Sequence, residues 1–422
     1  MNILMVTNTY RPIVGGLERS IEVFSEGYRK RGHTVKIIAP TFENMPRREK
    51  DVIRVPAIHH FRNSDFSIEL PIPGIAEKSL NGFWPDIVHS HHPFFLGDTA
   101  FRIAVELKSP LIFTHHCLYE KNTHYAPAGD SPAIKKIAVK LATGYANLCD
   151  HVFAPSESMA HLLKERGVNT PMDVVPTGIN INELAGSDGE SVRRKCSIAP
   201  GAFIAGSISR LVPEKNVLFL ARAVSEFLKA DEGNHFIIAG KGQSEEEMWD
   251  HFRKEGVSGR VHFLGLLGRD KLADFYAAMD VFAFASMTET QGLVIIEAFA
   301  AGVPVVAIDS WGVRDVVRNG VNGMLLPRED VREFAGALRS FKDIPRQVKE
   351  RMSAEAEKTA SAFNMDECVD KALGIYNKVR TKGCVKHDPR RKSTWLGAGR
   401  SLKAEWELLA IMAKAVESVM VT

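Results

Sequence analysis

The chain has 422 residues, too many for one ordinary hydrophobic core, so two domains and a small appendage are expected. Its 45% apolar and 25% charged residues are those of a soluble globular protein, and a formal net charge of +3 is too small to point to nucleic acid. The five cysteines, Cys117, Cys149, Cys196, Cys368 and Cys384, are an odd number with no CxxC pair, which excludes a disulfide framework or zinc site and suits reduced thiols in a cytosolic protein.

The segment NILMVT at 2–7 predicts a buried strand. It is too short and lacks the basic start of a signal peptide, and nowhere does an apolar window approach membrane-spanning length, so any membrane contact is expected to be peripheral. The loop TNTYRPIVGG follows, then a helix with Leu17, Ile21, Phe24 and Tyr28 on one face, closed near Arg31-Gly32-His33. TVKIIAP at 34–40 is the next strand, and this unit implies a parallel sheet with right-handed crossovers. Further strands are expected at 86–90, 111–116, 151–156 and 173–176. Open parallel sheets bind ligands at the carboxyl ends of their strands. Gly15, Gly16, His89, His91, His92, His115 and His116 all fall there. Between strands, SPAIKKIAVKLATGYANL at 131–148 sets Ile134, Ile137, Leu141 and Tyr145 on one face with Lys135, Lys136 and Lys140 beside it. That pattern fits a core helix with solvated lysines or a helix lying at an anionic interface.

After Thr177-Gly178 the polar stretch NINELAGSDGES reads as the interdomain linker. A second strand series follows at 203–209, 235–240, 261–265, 281–286 and 303–308, with Leu218, Ala221, Val224, Ser225 and Leu228 on an intervening helical face. The fold class is therefore α/β, with two facing doubly wound parallel-sheet domains and a ligand cleft expected between them. The expected boundaries are 1–180 and 190–360, the first domain completed by a helix at about 362–380 within a continuous helical stretch from about 345. The tail 383–422 opens on the basic KHDPRRKSTWLGAGRSLK. It then sets Leu402, Trp406, Leu409, Ala413, Val416 and Met420 on one helical stripe, which fits a helix docked on the protein, an anchor at anionic lipid, or a partner helix.

The stretch SMTETQGLVIIE at 286–297 places Glu289 in a loop after a strand and Glu297 in a helix expected to begin near Thr290. The amides of Gln291, Gly292 and Leu293 are the expected unpaired first-turn donors, with the positive end of the helix dipole behind them, which suits a phosphate. Gly292 lets a ligand approach the backbone closely. The distance from Gly292 to Glu297, roughly 7 to 8 Å of helix, matches the reach from a pyrophosphate to the ribose of the same nucleotide. In GSISRLVPEKN, Arg210 and Lys215 are paired cations at a strand end, placed to neutralise a departing diphosphate. Gly240 and Gly242 in AGKGQSE end the next strand and are weaker candidates for a close nucleotide approach. No carboxylate cluster of metal-ligand type accompanies these residues, so no metal and no cofactor are expected.

In this order, from the glycine pair at 15–16 through FTHHCLYE, SRLVPEK, the GKG turn and the paired Glu followed by EAFAAGVPVVA, the chain resembles the retaining, nucleotide-sugar-dependent glycosyltransferases of family 4, with GT-B architecture. The resemblance runs from about residue 2 to 380. It implies that Gly15 and Gly16 meet the donor diphosphate, that Arg210 and Lys215 bind and stabilise it, that Glu289 holds the donor sugar and that Glu297 holds the ribose. Amides at Gly292 and Leu293 would contact the distal phosphate and sugar. His116, with His115 as the alternative, matches the histidine beside the sugar. One departure is Gln291, where the commoner pattern has an aromatic residue. With HSHHPFFLG and THHCLYEKNTHY, it is similar to the diacylglycerol glucosyltransferase branch.

The resemblance implies transfer of a hexose, glucose as first choice, from a UDP-sugar to a lipid hydroxyl such as that of diacylglycerol, by a metal-independent cytoplasmic enzyme working at the inner face of the membrane. The alternatives are a transferase acting on a saccharide or polyprenyl-linked acceptor, from GDP-mannose or a UDP-sugar, an epimerase or phosphorylase on the same architecture, and, from another class, a non-catalytic sugar-nucleotide-binding module.

Overall fold

The computed structural model describes residues 1–46, 49–58, 68–69, 80, 82–125, 130–382 and 394–420. Cys384 and the basic segment 386–393 lie outside them. Chain contacts divide the protein into two compact units, Met1–Thr177 with Asp366–Thr422, and Gly178–Met365.

In the first unit, strands β1 (Asn2–Val6), β2 (Thr34–Pro40), β3 (Val52–Val55), β6 (Ile87–Ser90), β7 (Leu111–Thr114), β8 (His151–Ala154) and β9 (Met172–Val174) form one parallel sheet in the order β3-β2-β1-β6-β7-β8-β9. A short antiparallel pair, β4 (Ala57–Ile58) and β5 (Ile68–Glu69), stands outside it. The central strands are mostly apolar because helices cover both faces, with buried polar residues such as His89 and Ser90 near their carboxyl ends. Ile3 pairs with Val35 on one side and Ile87 on the other, and all three side chains are buried.

The second unit holds β10 (Phe203–Ile208), β11 (Asn234–Ala239), β12 (Val261–Phe263), β13 (Val281–Phe284), β14 (Val305–Ile308) and β15 (Gly323–Leu326), all parallel, in the order β12-β11-β10-β13-β14-β15. Side chains of β11 alternate between two cores: Phe236 and Ile238 point to the one containing Phe227, Phe252 and Phe334, Ile237 and Ala239 to the one containing Phe275, Phe282 and Phe299. This period of two follows from the pleat. The result is a Rossmann-like parallel sheet in each unit.

Four expectations are corrected. The edge strands β3 and β15 and the β4–β5 pair were not expected; each is four residues or fewer, too short to show a strand's periodicity. Arg54, inside β3, spends its guanidinium on Glu49 at 2.6 and 2.8 Å and on Pro40 O at 2.8 Å. The supposed linker is part of the second unit: Ile179 and Leu184 are buried in its core, and Ser187 and Ser191 both donate to Asp274 at 2.5 and 2.6 Å. The helical stretch after 345 is two helices, Arg346–Ser361 and Met365–Lys382. The break admits Ile179, whose N–H donates to Phe363 O (2.9 Å) and whose carbonyl accepts from Met365 N (3.0 Å). Gly178 is required there, because a Cβ would lie 2.4 Å from Met365 Cα.

The fourth correction concerns the tail. The helix Thr394–Met420 docks on the helices Pro132–Leu148 and Leu96–Leu107, but not through the stripe that the sequence suggested. Ala404, Leu408 and Ala415 are buried, while Leu402, Trp406, Leu409, Ala413 and Val416 are exposed. Small residues decide the docked face, since they let helix axes approach. A Cβ on Gly144 would lie 2.6 Å from Ile411, and Glu405 accepts from Arg102 at 2.5 and 3.1 Å.

Candidate active site

The strand order of the second unit reverses between β10 and β13, and the loops leaving these two strands flank the crevice where such sheets take ligands. After β10 comes Ser209 to Asn216, ending in a short 3-10 turn, Pro213–Lys215, with Asn216 in the left-handed conformation. After β13 comes Ala285 to Gly292. Two hydrogen bonds tie these loops, Asn216 Nδ2 to Ala285 O at 3.2 Å and Thr288 Oγ1 to Glu214 O at 3.2 Å.

Within that frame Lys215 Nζ lies 2.5 Å from Glu289 Oε1, which also accepts from Ser286 Oγ at 2.8 Å. The two side chains are 21% and 15% exposed, so the pair is largely withdrawn from water but not sealed. Burial raises the Glu289 pKa, yet the Lys215 charge and hydrogen bond, the Ser286 hydroxyl and the Arg210 charge together hold it below the ordinary carboxylate value. Glu289 is thus an anion at neutral pH, and its partner is a cation. Arg210 pairs with Glu214 at 3.0 Å, keeping about a third of its side chain in solvent. The site therefore holds two cations, each paired with a carboxylate.

The helix after Glu289 is Leu293–Ala300, opening three residues later than the sequence suggested. Gly292 is its N-cap at φ +76°, a left-handed conformation that only glycine adopts without strain, and no side chain caps the first turn. The helix amides begin at Leu293, so Gln291 and Gly292 belong to the entering loop. Gln291 is 6% exposed and Leu293 half-buried. The loop is pressed from behind by Gly312, whose N–H donates to Glu289 O at 3.1 Å and where a Cβ would lie 2.3 Å from Gln291 N. Glu297, on the second turn, is half-buried and accepts from the Tyr276 hydroxyl at 2.9 Å. Burial and the Glu297 carboxylate raise the Tyr276 pKa well above its ordinary value, so it donates throughout the physiological range.

Gly240 and Gly242 are each tightly constrained by protein backbone. At Gly240, with φ +123°, a Cβ would lie 1.8 Å from Ser209 O, and at Gly242 it would lie 2.3 Å from Leu211 O. Both admit the loop that carries Arg210, so their close neighbour is protein backbone.

In the first unit the strand order reverses between β1 and β6. Gly15 is the N-cap of the helix Gly16–Lys30 with extended backbone, φ −168°. A Cβ on Gly15 would meet Glu18 Oε2 at 2.6 Å, while Gly16 is open. Glu18 lies in the first turn, takes a hydrogen bond from Thr9 and is buried. After β6 and β7 the histidines gather. His116 Nε2 lies 2.8 Å from His91 Nδ1, with the rings stacked at 5.1 Å. His92 Nδ1 accepts from Asn8 N at 3.1 Å. His89 bridges Tyr376 Oη and Thr114 Oγ1 at 2.5 and 2.7 Å, which is a core contact. Burial drives His89, His92 and His115 down to about 3, and holds His91 and His116 well below the ordinary value, each lowered further by a neighbouring histidine. All five are neutral at pH 7. Of the two alternatives, His116 is half-buried, whereas His115 is buried, its Nδ1 without a hydrogen-bond partner among the described residues.

Sequence reasoning missed Asn216, Ser286, Thr288, Tyr276 and Gly312. Ser286 precedes Glu289 by three residues, a spacing that lets its hydroxyl reach the carboxylate, a signal that was available. Tyr276 and Gly312 act from other elements, and nothing local announces them. Among the described residues no group of three or more His, Cys, Asp or Glu is placed to hold a metal ion, and no helix is long and apolar enough to cross a membrane.

Comparison with known proteins places both units. Residues 14–183 match the profile described as Glycosyltransferase Family 4, and residues 188–359 the one described as Glycosyl transferases group 1. The chain is 31% identical over 345 residues to the alpha-monoglucosyldiacylglycerol synthase of Streptococcus pneumoniae, covering 80% of this chain and 77% of that one. It is 28% identical to a GDP-mannose-dependent alpha-mannosyltransferase of Mycobacterium tuberculosis, over 90% of this chain and 97% of that one. Among solved structures, Anabaena HepE in complex with UDP and glucose superposes with a TM-score of 0.72 at 22% identity, over 90% of this chain and all of that one.

Proposed function

Since this chain belongs to glycosyltransferase family 4 and is a glycosyltransferase of the GT-B type, we propose that it moves glucose from UDP-glucose to the hydroxyl of a membrane lipid such as diacylglycerol, with retention at the anomeric carbon. The observation that carries this reading is the Lys215–Glu289 pair at the strand-order reversal, with Arg210 beside it and an uncapped helix start next in the chain. In this reading the donor diphosphate takes Lys215, Arg210 and the amides from Leu293 onward. That releases Glu289 to accept from sugar hydroxyls, while Glu297, oriented by Tyr276, accepts from the ribose.

The bond from the anomeric carbon to the phosphate oxygen breaks and the bond to the acceptor oxygen forms on the same face. The acceptor proton passes to the departing phosphate oxygen, so no protein nucleophile is needed. Lys215 and Arg210 neutralise the charge that develops, the work a metal ion does elsewhere, which supports metal independence. In the first unit the same reading assigns Gly15, Gly16 and His116 to the reactants, with His116 as a neutral hydrogen-bonding group, not a proton carrier. A peripheral position at the cytoplasmic face of the membrane belongs to the proposal. It rests on the lipid named in the pneumococcal relative's description.

The test is product analysis with UDP-glucose and GDP-mannose, each offered diacylglycerol in vesicles and soluble saccharide acceptors, with and without EDTA. Glucosyl lipid formed from UDP-glucose alone, undiminished by EDTA, is the expected result. Mannosyl product from GDP-mannose favours the second reading, supported by the similarity to the mannosyltransferase over nearly the whole of both chains. Nucleoside diphosphate released at equal rates with and without acceptor refutes transfer.

A further inference from the structure

The helix Thr394–Met420 is spoken for on one side only. Ala404, Leu408 and Ala415 face the first unit, and the Arg102–Glu405 pair pins the helix rotation. What this leaves outside is apolar. Leu402 is 72%, Trp406 73%, Leu409 58%, Met412 43% and Val416 42% exposed. Leu402, Trp406, Leu409, Ala413 and Val416 are spaced four, three, four and three residues apart, the alternation of a coiled-coil seam. A seam this narrow differs from the broad face of a helix lying in a bilayer interface. The charges beside it are balanced, Lys403 and Lys414 against Glu407 and Glu417, whereas an anionic membrane would favour a basic excess.

We propose that this stripe is a docking surface for a second copy of the chain, the two C-terminal helices pairing antiparallel about a twofold axis. Side-chain volume selects the direction. In the antiparallel register centred near residue 411, Trp406 opposes Val416 of the second copy and Leu409 opposes its Ala413, so in these layers a large residue meets a smaller one. A parallel pair would set Trp406 on Trp406 and Ala413 on Ala413, one layer crowded and the other hollow. Charge selects the same direction: the positions flanking the seam, Lys403 and Glu417, then face each other twice across the interface. In a parallel pair neither meets an opposite charge across the interface, and Lys403 keeps its contact with Glu407 of its own helix, at 3.7 Å. Such an interface is self-complementary, as a twofold dimer requires. The seam from Leu402 to Val416 is only about 21 Å long. It falls short of the roughly 800 Å² per partner of a standard interface, so the dimer is reversible.

Sedimentation velocity of the full chain between about 1 and 100 μM tests this, a range in which a reversible dimer of micromolar affinity shifts from monomer to dimer. The expected result is a sedimentation coefficient that rises with concentration, and loss of that rise in L409E. L409E keeps its helical signal and melting temperature, because the docked face is untouched. K403E sets Glu against Glu417 at both contacts and weakens association about tenfold, and adding E417K restores it, a rescue that no general disturbance of the helix produces. A chain that stays monomeric throughout overturns the proposal. So does a dimer indifferent to L409E, or a monomer that L409E detaches from vesicles containing phosphatidylglycerol.

Discussion

The two units share a strand order and differ in what they set at the point where it reverses. At that point the first unit gathers neutral histidines packed against one another: His91 on His116, with His92 and His115 near by. The second gathers opposite charges held in pairs, Lys215 with Glu289 and Arg210 with Glu214. Among the described residues, the paired cations at this point belong to the second unit, while the first sets neutral histidines and the buried Glu18. One backbone plan thus carries two different sets of polar groups, and loop sequence makes the difference.

The sharpest way to break this comparison is to remove the charges. Lys215→Ala and Glu289→Ala are each expected to lower kcat/KM for transfer by about a hundred- to a thousandfold, the scale for losing a preorganised electrostatic partner. Lys215→Ala also leaves the Glu289 carboxylate largely buried and without its cation, so its melting temperature falls as well. Circular dichroism separates the two effects. Near-normal turnover by either folded variant removes the mechanism. His116→Ala, which deletes no charge, is expected to cost less than either.

Next in size is a change that moves the carboxylate without touching it. Gly312→Ala places a methyl 2.3 Å from Gln291 N, and backbone cannot swing aside as a side chain does. The Glu289 loop must shift, and kcat/KM is expected to fall about ten- to a hundredfold. Gly336→Ala in the helix Val331–Asp343 is the control, since its only close neighbour is the tip of Arg339 at 3.9 Å. If both variants behave alike, the loop is not held as described.

Acid distinguishes the units directly. His89 and His115 are buried, with pKa values near 3, while in the unfolded chain they titrate near 6.5. Below pH 6.5 the unfolded state takes up protons that the folded state refuses, so stability falls with pH. The loss comes to ~2 kcal/mol per histidine at pH 5. Glu289 works with the opposite sign. Its folded pKa lies below the ordinary value of 4.5, so its contribution is intact above that value and is lost only in stronger acid. Between pH 7 and 5 the first unit should loosen more than the second, where burial also lowers His235, His251 and His262 but leaves each half-exposed rather than sealed like His89 and His115. Hydrogen exchange followed by peptide mass analysis locates the change, and equal protection of both units at both pH values sinks the prediction.

How much of this was legible in the sequence follows from where the determining contacts lie. Central strands were readable as mainly apolar runs because burial on both faces leaves few polar positions, and Lys215, Arg210 and Glu289 were readable because their loops directly follow such runs. The exact helix start was not, since it depends on the left-handed backbone of Gly292 and on Gly312 behind it. Gly240 was readable as a constrained glycine, but its constraint is the carbonyl of Ser209, from a different loop. The tail's stripe was legible as a helix and misleading as to which side docks, because the close approach at Gly144 lies some 260 residues away in the chain.

The smallest expected effect concerns a residue the sequence did not reveal. Tyr276 is fully buried in the helix Leu272–Ala277, and its hydroxyl donates to Glu297 Oε2 at 2.9 Å. With its pKa raised by burial and by that carboxylate, it holds a proton at every working pH and can only donate. Tyr276→Phe deletes the hydroxyl without changing the packing, at a cost of about 1 kcal/mol, the scale of one hydrogen bond. If Glu297 grips the ribose, the loss appears in the ground state as much as in the transition state. KM for the donor then rises about fivefold while kcat stays near its starting value. Glu297→Gln should shift KM in the same direction, and the double variant should lose less than the two single losses combined, since Tyr276 acts through Glu297. A fall in kcat with unchanged KM would place Glu297 nearer the reacting sugar than the ribose, and would move the charged pair of the second unit with it.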